Sequence, residues 1–216
     1  NAATAQQDGL ETLPMIIEGS EPHHQFCRNF LGRVLAYAAA LIPDVTGTPQ
    51  DIDDAMKMGF NWIRGPFEMI DALGADVVIK LAQDASCTIP QALQTSAEHG
   101  PFYQVQDATL MVRNFDQTAS QLKPVQLPEG TERFSLTRRK LTPIASNRAA
   151  SLWNLPGDLR LVEFHSKANA LTGESMAIVR QAAKDHGTGI LIHNDAQHFS
   201  AGVDLNHFAD FIAREA

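Results

Sequence analysis

Two short stretches hold residue types and spacings that can do chemistry. In "HFSAGVDL" (198–205) the small residues Ser200, Ala201 and Gly202 make a turn ahead of an amphipathic run, with Asp204 at its mouth. Small side chains let backbone N–H groups approach a negatively charged oxygen, and a helix start behind them adds a favourable dipole. The second stretch is "HSKANAL" (165–171). Each follows an apolar run that reads as a strand, "GILIH" (189–193) and "RLVEF" (160–164) respectively. In open α/β sheets, ligands collect at such carboxyl ends.

Other chemistries find less support. Of the eight histidines, His23 and His24 sit near the start, His165 and His193 end strands, and His198 and His207 flank the second turn. None forms an H-x-x-x-H pair on one helix with a carboxylate at ligand spacing, so no metal centre is expected. Ser200 lies outside any G-x-S-x-G context, and neither Cys27 nor Cys87 has a histidine placed beside it, so no activated nucleophile is expected. Alternation turns Glu163 outward between Val162 and Phe164, and no catalytic role is assigned to it. The one G-x-G, Gly187-Thr188-Gly189, precedes a strand instead of following one, which reads as a helix-ending turn and not a dinucleotide cradle.

Composition narrows the class. The chain has 216 residues, 44% hydrophobic and 19% charged, with a formal net charge of -8. Nucleic-acid binding is not expected without a sustained basic face. No apolar run is long enough to span a bilayer, and two distant cysteines suit a reducing, cytoplasmic setting.

The elements that position the two turns follow from periodicity. Residues 1–25 read as an N-terminal arm, and from Phe26 a helical stripe of Leu31, Leu35, Ala38 and Ile42 runs to Pro43. "TPQDIDDAMKMGF" (48–60) has Thr48 as N-cap, Pro49 at the first helical position and Gly59 as the stop. "GPFEMIDALG" repeats the formula between Pro66 and Gly74, with Glu68 and Asp71 as capping or solvated residues and no titratable cluster. Helices over about 75–84 and 90–98 complete an all-helical unit, followed by a β-ribbon from "FYQV", "TLMVRNF" and "KPVQL". Residues 128–157, rich in proline and carrying Arg133, Arg138, Arg139, Lys140 and Arg148, read as a solvated linker. From 158 the pattern is strand, helix (173–186), strand, helix (205–215). Two parallel strands with two helices bury a sheet poorly, so 158–216 reads as the opening of a larger α/β domain. The Asn-Ala-Ala opening and the close at Ala216 carry the same expectation, that the sequence is part of a longer polypeptide.

At the two turns the residues resemble a known family. "N-A-L" after the first strand and "F-x-A-G-x-D-L" after the second are similar to the enoyl-CoA hydratase (crotonase) signature. The resemblance implies that the Val203 N–H is one of two donors to a thioester enolate oxygen. It also implies that Ala168, Ala170 and Ala201 cradle coenzyme A and that Lys167 approaches a CoA phosphate. The helical part, "D-I-D-x-A-M-K-x-G" then "G-P-F-E-x-x-D-x-x-G", resembles the C-terminal domain of 3-hydroxyacyl-CoA dehydrogenases.

In this order the two resemblances match a bacterial multifunctional fatty-acid oxidation protein. The expected fold is mostly α: a dehydrogenase C-terminal-type domain with a small β-ribbon (26–127), then the linker, then a truncated crotonase-like βαβα segment (158–216). The implied activity is NAD-dependent oxidation of 3-hydroxyacyl-CoA with enoyl-CoA hydration beside it. The NAD-binding glycines, the second oxyanion donor and the hydratase glutamates would lie outside this sequence, so the chain alone is expected to be inert. The substrate would be an acyl-CoA, and an unpaired strand such as "GILIH" predicts self-association. Two alternatives belong to other classes: a CoA-binding module without chemistry, and a helical dimerisation or packing module.

Overall fold

The expected arm is already helical: α1 (Gly9–Glu18) precedes α2 (Pro22–Ala40), which starts four residues before Phe26. Arg28 of α2 explains the join, donating to the Ile17 and Gly19 carbonyls at 2.8 and 2.6 Å and satisfying acceptors that α1 leaves open at its end. The computed structural model describes residues 9–116, 120–196 and 199–205, with the backbone alone for 9–12. The chain divides into two units, Asn1–Gln126 and Leu127–Ala216.

In the first unit α3 (Pro49–Phe60) is capped by Thr48, whose hydroxyl accepts the Gln50 N–H at 3.3 Å. The helix runs one residue past Gly59 and stops at Asn61, which takes the left-handed conformation (φ 56°) that asparagine tolerates. α4 (Pro66–Leu73), α5 (Ala75–Asp84) and α6 (Gln91–His99) follow as read. Leu35, Ala39, Phe67, Ile70, Val78, Leu93 and Phe102 are fully or almost fully buried in one core. Gly32 lets α2 lie close against α5, since a Cβ there would sit 2.4 Å from the Leu81 carbonyl oxygen. β1 (Tyr103–Gln106), β2 (Thr109–Asn114) and β3 (Gln121–Pro124) form an antiparallel sheet in that order, β3 starting two residues before the expected "KPVQL".

The second unit departs most from the sequence reading. Residues 128–157 are not a linker: they hold α7 (Phe134–Thr137), a tight 3₁₀ turn over Arg138–Lys140, β4 (Ala145–Ser146) and β5 (Ala150–Leu155). β5 was hidden because Ala150 to Trp153 are all buried, so polar and apolar residues do not alternate along it. It pairs antiparallel with β6 (Leu159–Phe164) across a Pro156–Asp158 turn in which Gly157 has a φ of 78°. β6 then pairs in parallel with β7 (Gly189–His193), α8 (Gly173–Lys184) making the crossover. The sheet order is β4-β5-β6-β7. One face, with Ala150, Leu152, Val162 and Phe164, packs on Ile178 and Ala182 of α8. The other carries Trp153 and Leu161 under Phe134 of α7. The helix expected over 205–215 lies outside the described residues beyond Leu205.

Candidate functional site

Parallel pairing of β6 and β7 sends both their carboxyl ends out on the same side, and the two turns meet there. The first turn winds through Lys167–Asn169 with Ala168 and Asn169 at φ 53° and 51°. The second is fastened to it by four bonds. The Ala201 N–H donates to the Ala168 carbonyl at 3.1 Å and the Leu171 N–H to that of Gly202 at 2.8 Å. The Asp204 N–H donates to Leu171 at 3.0 Å, and the Ser200 hydroxyl to the Asn169 carbonyl at 2.8 Å. Gly202, at φ 90°, occupies a conformation that a side chain would strain.

This fastening sets what the backbone can offer. Leu171 and Val203 form a parallel bridge in which Leu171 makes both hydrogen bonds, so the Val203 N–H is directed away from the pairing. Val203 is 56% exposed. Lys167, Ala168 and Ala201 are exposed as well, and Ala170 is half-buried. The sequence-named positions Lys167, Ala168, Ala170, Ala201 and Val203 thus lie on two adjoining turns. His198 and His207 fall outside the described residues.

Beside the turns runs a polar row that sequence reasoning missed. Register aligns Ser151, Glu163 and His193 across β5, β6 and β7. Glu163 does not face solvent as alternation suggested: it is 5% exposed, accepts the Trp153 indole N–H at 3.2 Å, and is paired with Arg138. The outward face was misjudged because α7 and the following turn cover it. His193 bonds Asp195 at 2.7 Å, and Asp195 also accepts the Ser135 N–H, which holds its carboxyl below the ordinary value against the opposing effect of burial. Ser151 bridges Ser146 and His165 at 2.8 and 3.0 Å. Among the described residues no group of three or more His, Cys, Asp or Glu side chains is arranged to hold a metal ion.

The first unit does hold a titratable cluster, contrary to the reading of "GPFEMIDALG". Asp53 is fully buried and accepts the Phe67 N–H at 2.8 Å, the Glu68 N–H at 3.2 Å and the Tyr103 hydroxyl at 2.9 Å. Burial outweighs these donors and pushes its carboxyl up to about 7. Glu68 acts as a cap, as read, accepting the Gly65 N–H at 2.9 Å, and is paired with Lys57 at 2.9 Å. Asp71 accepts the Phe102 and Tyr103 N–H groups, both at 2.8 Å, and burial raises it to about 6. Gly65 makes room for this carboxyl, since a Cβ at 65 would lie 2.2 Å from the Asp53 carboxyl carbon, and no local sequence pattern signals that pairing. Asp53 has no solvent access and ties α3, α4 and β1 together, so its role is structural.

The Gly187-Thr188-Gly189 turn is shaped by packing. Gly187 sits in the turn before β7, where an added Cβ would meet the Asp158 carbonyl oxygen at 1.9 Å. The glycine serves that close approach.

Residues 26–118 match the family model of the 3-hydroxyacyl-CoA dehydrogenase C-terminal domain. The chain is 30% identical, over 82% of its length, to a protein of Bacillus subtilis named a probable 3-hydroxyacyl-CoA dehydrogenase. It is 24% identical over 94% of its length to a putative fatty acid oxidation complex trifunctional enzyme of Rickettsia prowazekii, and 28% identical over 82% to the like-named protein of Rickettsia felis. The chain spans 23%, 25% and 22% of these relatives' own lengths. No solved structure matches. The matched stretch takes in most of α2, all of α3 to α6 and the strands β1 and β2, so it is this part of the chain that is similar to the 3-hydroxyacyl-CoA dehydrogenase C-terminal domain.

Proposed function

We propose that the chain contributes to a fatty-acid oxidation enzyme that handles acyl-CoA thioesters, with a dehydrogenase-type helical unit followed by a crotonase-like segment at 158–216. The observation that carries this reading is the fastening of the two turns, which leaves the Val203 N–H outside the Leu171 pairing on an exposed rim. An enolate oxygen carries localised charge that develops during reaction, and a fixed backbone donor is matched to it. Lys167, Ala168, Ala170 and Ala201 line the same rim, where the CoA moiety would lie.

NAD belongs to the proposed whole enzyme and would supply hydride acceptance there. On this reading the chain supplies one of the two oxyanion donors and not the general base, so the chain by itself is expected to turn over neither 3-hydroxyacyl-CoA with NAD nor enoyl-CoA. Measurable turnover of either by the pure chain overturns this. In an enzyme that includes the chain, Val203→Ala is expected to keep hydration near normal. Val203→Pro, which removes the N–H, is expected to lower it by about 10²- to 10³-fold. Equal effects of the two variants would remove Val203 from the reading.

For the helical unit a packing role is favoured by one observation: Asp53, Lys57, Glu68 and Asp71 all spend their polar atoms holding elements together. This is the place of that unit within the enzyme and needs no chemistry of its own.

A further inference from the structure

The basic run that the sequence offered as a solvated connector is bound to the sheet at a defined place. Phe134 of α7 packs edge-on to Trp153, with ring centroids 5.5 Å apart, and against His193 at 6.4 Å. The Ser135 N–H donates to Asp195, two residues beyond β7. Arg138 pairs with Glu163, the last residue but one of β6. The contacts to His193, Asp195 and Glu163 hold the segment at the carboxyl ends of β6 and β7, the same ends from which the two turns leave. Arg139 and Lys140 follow directly in a closed turn, in which the Leu141 N–H donates to the Arg138 carbonyl at 3.1 Å. Their side chains are exposed and enter no hydrogen bond or ion pair among the described residues. Glu129 and Glu132 precede the pinned part, and no acid interrupts Arg138–Lys140.

We infer that this strap is an additional anion subsite of the thioester rim, in which Arg139 and Lys140 receive the phosphates of the coenzyme A nucleotide while Arg138 anchors them. The inference rests on the acyl-CoA reading above and adds to it residues outside the two turns. In a chain of net charge -8, a cationic pair held at the rim gives a polyanion a local landing place. Arg138 is the positioning residue. Its side chain is committed to a buried carboxylate, which holds the next two residues at the sheet instead of letting them swing on a free connector. Contacts between exposed cations and phosphate are screened by salt, so the contribution should fade as ionic strength rises.

Calorimetric titration of the whole chain with coenzyme A, dephospho-coenzyme A and pantetheine at low salt tests this. The double variant Arg139→Ser/Lys140→Ser is expected to bind coenzyme A about threefold to tenfold more weakly, with pantetheine binding unaltered and the difference shrinking in high salt. Arg138→Gln is expected to give part of the same loss, with the far-ultraviolet spectrum checking that the sheet is intact. If the unaltered chain binds coenzyme A and the double variant binds it equally well, the strap has no such role and the two-turn reading stands. Failure of the unaltered chain to bind coenzyme A at all would sink both.

Discussion

Asp53 shows how one side chain can hold three elements and make them sensitive to pH. Its folded value of about 7, and that of about 6 for Asp71, lie above the ordinary 3.8, so the native state binds these protons more tightly than the unfolded chain. Their contribution to stability is complete below about pH 4 and is lost as pH rises through 6 and 7. Carboxyl ¹³C NMR is expected to show both groups titrating near neutrality, and Asp53→Asn to flatten the pH dependence of the unfolding midpoint over that window. A carboxyl at position 53 titrating near 4 would refute the assignment. Tyr103→Phe removes one of the three donors and is expected to cost about 1–2 kcal/mol in denaturant unfolding. Sequence could place Asp53 on α3, but not see that Gly65, twelve positions later, leaves the space its carboxyl fills.

Elements were legible where their ends carried chemistry and illegible where burial erased their pattern. Thr48, Pro66 and Gly74 marked helix boundaries in sequence because caps act within a few residues. β5 carries no such mark. Its Ala150-Ser151-Leu152-Trp153 stretch is buried on both faces, by α8 on one and by the strap with α7 on the other. Two variants test the packing. Gly32→Ala, whose Cβ would press on the Leu81 carbonyl, is expected to force α2 from α5 and cost about 1–3 kcal/mol by chemical denaturation. Glu163→Ala strands Arg138 and the Trp153 indole and is expected to cost about 1–3 kcal/mol. A neutral result at Glu163 would mean that the residue is solvated, as its place in the sequence first suggested.

At the scale of the whole chain the open feature is β7, which pairs with β6 alone among the described residues. Its Ile190, Leu191 and Ile192 are 39%, 47% and 43% exposed, so apolar side chains stand out on both faces of a strand whose second edge is unpaired among the described residues. The chain is expected to self-associate at concentrations well above micromolar, and Ile192→Lys to reduce the scattering mass toward that of a monomer. A monomer at all concentrations would contradict this. No helix among the described residues is long and apolar enough to cross a membrane.

What the sequence determined by itself was local: capped helices α3 and α4, the strand–helix–strand run from β6 to β7, and the residue types of the two turns. These follow from rules that act over a few positions, namely side-chain caps, the helical period and glycine's access to positive φ. Only the tertiary structure decided that Leu171 pairs with Val203, that Glu163 is covered, and that Arg138 fastens a basic segment to the sheet. Each joins residues 25 or more positions apart, or depends on which face a distant segment covers. The free energy there comes from burial and from donors finding acceptors across the fold, which no short window of sequence contains.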